Sequence, residues 1–327
     1  MIEVDGSYGE GGGQLVRTAV ALSALTGSAL RLAGVRAKRA RPGLAPQHLA
    51  AVRAVAALCD ARCEGLELRS SGFIFEPRAQ PAGGELRVDV DTAGSVTLVL
   101  QALLPILLCA RRASRVVVTG GTDVRQAPTW DYFCEVLLRL LGGMGLRVRA
   151  SLVRRGYYPR GGGEVAVEVE PGRPQPLPLE SLSGVWKVSG AAHVAHLPLS
   201  IAERMRAAAL AALRSEARID ARVLRPEEAI GTGGAIDLWA ESGARTLGAS
   251  RAAELGTDMA SSAELDVHAT DQVLVYLAMA REASSFTARS LSSHARTAMW
   301  LIEQFLTARF SVESEGALVR IRATPGI

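Results

Sequence analysis

Lysine is nearly missing from this chain. Lys38 and Lys187 are the only two, so almost all of the 37 basic side chains are arginine, whose planar fork suits carboxylate and phosphate. An Arg-rich composition also accompanies coding bias or a hot habitat, and a net charge of +4 supports a polyanionic partner only weakly. Cysteine is scarce as well. Cys59, Cys63, Cys109 and Cys134 sit in or beside apolar, helix-like runs, and no Cys or His pair completes the Cys59 to Cys63 spacing. Buried thiols are therefore expected, with neither a disulfide framework nor a zinc site. Apolar runs such as 96–109 are too short or too interrupted to span a bilayer, and no basic segment, apolar segment and cleavage site follow one another at the N-terminus. The expectation is a soluble, cytoplasmic protein with no membrane partner. Walker, Rossmann, Gly-x-Ser-x-Gly, His-Glu-x-x-His and kinase-loop patterns are missing too.

What is present begins at residues 5–17, DGSYGEGGGQLVR, with five glycines at the mouth of an apolar helix. A helix starting near Gly13 leaves its first N–H groups unpaired and facing the glycine run, an arrangement that holds phosphate. Gly9, Gly11, Gly12 and Gly13 permit positive φ or close ligand approach. Glu10 among them is an acceptor for a metal accompanying the phosphate, and Arg17 follows one turn after Gly13 or Gln14. A plain glycine-rich turn between a strand at 2–4 and a helix explains the same residues. Arg36, Lys38, Arg39 and Arg41 lie within six residues with no intervening acid, a solvated face unless something brings phosphate to it.

The order helix, strand, loop, helix, strand, strand recurs. In the first copy the helices fall at 14–25 and 48–59 and the strands at 30–37, 65–70 and 73–77. A strand at 81–90 leads into the second copy, with helices at 96–110 and 130–141 and strands at 115–121, 146–156 and 161–171. The third has helices at 271–280 and 294–306, a strand at 284–290 and a closing hairpin at 310–323. No copy buries its own sheet face, so the three should pack together. The fold class expected is α+β, with three βαβαββ-like units over 1–181 and 261–327. Residues 182–260 break the pattern and read as a small inserted α+β domain without evident chemistry. Its strands are expected at 185–195, 219–224 and 235–241, and its helices at 201–214 and 249–256. Equivalent loops of packed repeats lie on one face, which would make Gln47, His48, Arg125, Pro128 and His294 neighbours.

His294 stands where a strand and polar loop end and a helix begins, reading as a helix cap. The positive end of the helix dipole favours neutral imidazole, the nucleophilic form. A lone histidine there is more often structural. His193 and His196 have apolar neighbours and no acid at ligand spacing, so core or surface roles outweigh metal binding. A glycine mouth with Glu10, an Arg/Lys loop and a histidine at a helix start together fit nucleotidyl transfer.

The chain resembles the RNA 3′-terminal phosphate cyclases in GEGGGQLVRT (9–18), RAKRARPGLAPQHL (36–49), AGSVTLVLQALLP (93–105), VTGGTDVRQAP (118–128), GYYPRGGGEV (156–165), TDQ (270–272) and FTARSLSSHARTAMWLIEQFL (286–306). The resemblance implies three units like the C-terminal domain of a translation initiation factor, with a trimmed thioredoxin-like insert. It implies an ATP-dependent ligase that converts an RNA 3′-phosphate to a 2′,3′-cyclic phosphate through a His294–AMP intermediate and an adenylylated RNA end. By the same resemblance Glu10 serves Mg or Mn and the triphosphate. Gln14, Arg17, Arg36, Arg39 and Gln47 line the phosphate site, and Gln101, Pro128, Asp271 and Gln272 line the nucleotide pocket. His268 stands where bacterial relatives place Tyr against adenine, Ser293 where others have Cys, and Pro46 where others have a basic residue. A nucleolar ribosome-assembly relative lacks the nucleophilic His, and the enolpyruvyl transferases need none there.

Overall fold

The computed structural model of this chain describes residues 1–179, 185–213, 216–243 and 245–326. The first segment contains β1 (Ile2–Asp5), α1 (Gly13–Thr26), β2 (Leu30–Ala33), α2 (Pro46–Leu58), β3 (Arg62–Glu64) and β4 (Phe73–Glu76), with sheet order β1-β2-β4-β3. β1 and β2 are parallel and the other pairs antiparallel. Next come β5 (Gly84–Asp89), α3 (Val96–Leu108), β6 (Ser114–Gly120), α4 (Trp130–Tyr132), a π turn (Phe133–Leu137), α5 (Leu138–Gly143), β7 (Val148–Gly156) and β8 (Gly163–Val169). Their sheet runs β7-β8-β6-β5, again with the first two strands in sequence, β5 and β6, parallel.

A separate sheet follows, made from β9 (Lys187–Ala195), α6 (Leu199–Leu213), β10 (Ala217–Val223), β11 (Ala229–Ile230), β12 (Gly233–Ser242), β13 (Arg245–Ala249) and α7 (Ala252–Ala260). Its order is β10-β9-β12-β13, while β11 leaves it to pair with the edge of β7. The chain closes with α8 (Val267–Met279), β14 (Ser284–Ala288), α9 (Ser293–Phe305), β15 (Arg309–Glu315) and β16 (Leu318–Thr324), ordered β14-β16-β15. A lone parallel bridge from Leu265 to Ala288 lies where the other two sheets have a full first strand. The architecture is mixed α+β.

α3 explains how these layers meet. Its sequence is apolar on every side, so it can be stable in water only when surrounded, and eleven of its thirteen residues are buried. α1, α2 and α8 pack around it. One core runs from Val4 through Phe75, Val118 and Leu274 to Ala323. A second cluster, including Val188, Ile219, Leu238 and Leu255, fills the sheet of β9 to β13.

Three expectations need correction. The run at 65–70 forms turns and not a strand, because Gly65 and Arg69 take positive φ of 70° and 66°, and the pairing segment is the preceding Arg62–Glu64. Residues 245–249 form β13, and the helix expected at 249–256 begins only at Ala252. Cys109 is exposed, whereas Cys59 is buried and Cys63 and Cys134 are half-buried, and all four are free. The expected boundary at 181/182 lies outside the described residues. Among those residues, no helix is long and apolar enough to cross a membrane.

Candidate active site

α1 begins at Gly13 with Gly12 as its N-cap and no side chain capping it. Its first N–H groups therefore face the mouth without a side-chain acceptor. Only Gly9 and Gly11 of the glycine run need positive φ, 57° and 58°. At Gly13, and less strictly at Gly12, space and not φ is the constraint. A Cβ at Gly12 would come within 2.9 Å of the Arg39 guanidinium, and one at Gly13 would overlap the His48 ring.

Glu10 is the hub of this mouth. Its Oε1 accepts from the Arg39 guanidinium, while Oε2 lies 2.5 Å from His294 Nδ1 and 3.4 Å from Ser293 Oγ. Nδ1–H donating to Glu10 leaves the lone pair on Nε2. Burial holds the His294 imidazole below its ordinary pKa; Glu10 opposes this, and Arg17, Arg39 and His268 reinforce it. A neutral ring with a free Nε2 results.

His294 is not the helix cap that its position suggests. Ser292 is: its Oγ accepts from Ala295 N at 2.9 Å and donates to Asp271 Oδ1 at 2.5 Å. His294 is the second residue of α9. Burial pushes Asp271 up to about 7, so its carboxyl sits near the midpoint of titration at neutral pH.

Arg17 is 7 % exposed, and its Nε has no partner among the described residues. Burial alone lowers its pKa to about 10. Gln14 Oε1 is likewise buried without a partner. His48 Nδ1 accepts from Ala45 N at 3.2 Å, and burial together with Arg17 and Arg36 pushes this ring down to about 3. It is neutral, so Nε2 keeps its proton and faces the start of α1 as a donor.

The profile of the RNA 3′-terminal phosphate cyclase family matches residues 8–312. Curated proteins named RNA 3′-terminal phosphate cyclase align over nearly the whole chain. One from Nitrosospira multiformis is 50 % identical, covering 99 % of this chain and 97 % of its own. One from Pyrobaculum neutrophilum is 40 % identical with 96 % of each chain covered. One from Archaeoglobus fulgidus is 40 % identical, covering 98 % of this chain and all of its own length. This chain belongs to the RNA 3′-terminal phosphate cyclase family. Among solved structures, the enolpyruvyl transferase NikO from Streptomyces tendae aligns with 98 % of this chain and about half of its own, 47 %, at 12 % identity and a TM-score of 0.42. That likeness is too low to carry an argument.

In this family member the expected site residues fall into linked groups. Glu10, Arg39 and His294 touch directly, and Asp271 joins them through Ser292 and Ser293. Arg36 turns back on its own loop, with NH1 donating to Gly43 O at 2.9 Å. Gln47 accepts from Ser95 N at 3.0 Å, and the Ser95 and Thr97 hydroxyls, 2.8 Å apart, lead on to Pro128 O at 2.7 Å. Gln101 donates to Gln272 at 2.9 Å, and Gln272 to His268 O at 3.0 Å. None of Gln47, Gln101, Pro128 or Gln272 bonds to His294 among the described residues. His268 reaches Glu254 of α7, 3.3 Å away. Sequence reasoning missed Ser292 as the cap, although Ser-Ser before the first apolar helical residue is a start signal; Lys38 of the basic run donates to Gly9 O at 3.3 Å.

Proposed function

We propose that this chain is an ATP-dependent RNA 3′-terminal phosphate cyclase in which His294 Nε2 carries AMP. The observation that carries this reading is the 2.5 Å contact between Glu10 Oε2 and His294 Nδ1, which orients a neutral imidazole with Nε2 free. Arg17, buried with its Nε unpaired, supports it, because a desolvated guanidinium without a carboxylate suits an anion. In the first step Nε2 attacks the α-phosphorus of ATP. The N–P bond forms as the bond to pyrophosphate breaks, and Glu10 stabilises the charge placed on the ring. An oxygen of the RNA 3′-phosphate then attacks the same phosphorus and displaces the imidazole. The vicinal 2′-hydroxyl next attacks the RNA phosphorus of that anhydride, losing its proton and expelling AMP, which leaves a 2′,3′-cyclic phosphate.

A divalent cation, Mg or Mn, fits this mouth as a companion of the triphosphate. Glu10 offers it one carboxylate, and such ions take most of their remaining ligands from phosphate and water. Gln14, Arg17, Arg36, Arg39 and Gln47 would serve the phosphates, and Gln101, Pro128, His268, Asp271 and Gln272 the nucleotide. We also read the three sheets as copies of one βαβαββ unit over 1–181 and 261–327, with 182–260 inserted. Their common strand order supports that division. RNA as partner and a cytoplasmic setting belong to the same reading.

Incubation with α-labelled ATP and Mg²⁺ or Mn²⁺ tests the mechanism. The expected result is an acid-labile, alkali-stable label on the wild-type chain, none from γ-labelled ATP, and none on His294→Ala. Label retained by His294→Ala, or absent from active wild-type enzyme, would overturn it.

A further inference from the structure

Behind the site, a second polar cluster is assembled from four places in the chain. Asp123 follows β6, Asp131 lies in α4, His193 in β9 and Asp237 in β12, and one ligand atom from each lies within 4.8 Å of all the others. His193 pairs in register with Ala235, two residues before Asp237, so both side chains leave the same face of that sheet. His193 Nε2 stands 3.4 Å from Asp131 Oδ2 and 3.9 Å from Asp123 Oδ1. Donors at about 2.0–2.2 Å in a tetrahedral shell lie roughly 3.3–3.6 Å apart, a spacing that His193 and Asp131 already have and that the wider pairs would reach by closing around the ion.

Two atoms point to a ligand independently of that clustering. The His193 side chain is 2 % exposed and Asp237 is 1 % exposed, yet among the described residues Asp237 Oδ2 has no hydrogen-bond partner and His193 Nε2 has only the long approach to Asp131. The remaining atoms of both residues are already used. Tyr157 Oη is 2.9 Å from His193 Nδ1, and Thr129 Oγ1 donates to Asp237 Oδ1 at 2.7 Å. An imidazole held at one nitrogen by a neighbouring polar group, with the other nitrogen aimed into a cluster of carboxylates, is the arrangement of a metal ligand with its orienting partner.

Charge points the same way. Arg155 grips Asp123 and Asp131, each through both carboxylate oxygens, at 2.7–3.0 Å. Three ionised carboxylates and one guanidinium leave two negative charges in a dry site, a costly state. A proton on Asp237 would remove only one of them. Each carboxylate has about four lone-pair sites, so the arginine does not use up the oxygens.

We propose that Asp123, Asp131, His193 and Asp237 bind one divalent transition-metal ion, zinc or manganese, that fastens the β9–β13 sheet to the loop carrying Pro128. One nitrogen and three oxygens suit either ion, and a divalent charge brings the cluster to neutrality. This site is distinct from the cation expected at Glu10, which would arrive with the nucleotide. Thr129 links the two regions. It caps α4 directly after Pro128 and donates to Asp237.

The test uses the full-length chain, stripped with chelator, desalted and dialysed against Zn²⁺ or Mn²⁺ alone, without nucleotide. About one ion per chain should be retained, and in Glu10→Ala as well, but less than about a tenth as much in His193→Ala and in the near-isosteric Asp237→Asn. The ion should raise the wild-type melting temperature by about 5 °C and leave that of Asp237→Asn unmoved. With Mn²⁺ bound, the electron spin-echo spectrum should show coupling to one imidazole nitrogen, a readout from the wild-type chain that holds if a variant fails to fold. No retained ion in the wild type, retention that survives His193→Ala, or retention lost only in Glu10→Ala would each overturn the proposal.

Discussion

Arg17 and Arg155 are both buried guanidinium groups, and their surroundings treat them in opposite ways. Arg155 is held by two carboxylates, whose charges more than offset burial and raise its pKa above the ordinary arginine value. Arg17 has no such carboxylate, and burial lowers it to about 10. Around Arg155 the acids outnumber the base, and around His294 Glu10 acts against both Arg17 and Arg39. The same side-chain types thus build one cluster suited to a cation and another suited to a polyanion. The count of opposite charges decides which.

The largest effects are expected at His294. His294→Ala should lower self-adenylylation by at least about 10³-fold with a melting curve close to wild type, since Ser292 and not His294 caps α9. Intact labelling with a collapsed melting curve would reverse both halves of that expectation. Arg155→Met comes next. It leaves Asp123 and Asp131 buried without their partner and should cost about 3–5 kcal/mol in stability, read by urea unfolding. A loss below 1 kcal/mol would mean that another cation or water already serves those carboxylates.

Arg17→Met sharpens the contrast because its sign should be opposite. Removing a buried, unpaired charge should leave the ligand-free chain as stable as before, or more stable by about 1–3 kcal/mol, while adenylylation falls by about 10²-fold or more. A destabilised variant would show that Arg17 has a structural partner, and an active one would remove it from the phosphate site. Measuring unfolding without ATP keeps the two readouts apart.

Much of the mouth could be read from the chain because its parts are contiguous. Glu10 sits inside the glycine run, the Arg36–Arg39 loop leads toward α2, and His294 lies in the first turn of α9. What could not be read is which residues the glycines make room for. His48 and Arg39 press on Gly13 and Gly12 from 35 and 27 positions away, and that is a fact of packing between α1, α2 and the loop. The His193 cluster was illegible for the same reason, magnified. Its acids come from 62 and 70 residues before His193 and 44 after it, so no spacing rule applies. The strand at 65–70 was misjudged because local alternation says nothing about the positive φ that Gly65 and Arg69 adopt.

The last effect concerns Asp271, and its pH dependence fixes its sign. Burial raises the folded pKa to about 7 from an ordinary 3.8, although the Ser292 hydrogen bond opposes the shift. Between those values the folded chain keeps a proton that the unfolded chain has released. Stability therefore falls as pH rises through about 4 to 7, and the penalty is complete above that window. Asn at 271 cannot ionise, and its carbonyl oxygen can still accept from Ser292. Asp271→Asn should therefore match the wild-type melting temperature near pH 4 and exceed it near pH 8. A difference that is flat with pH, or largest in acid, would show that Asp271 is ionised in the folded chain. In that case it would belong with the charged groups that face ATP, and the neutral carboxyl would have to be given up.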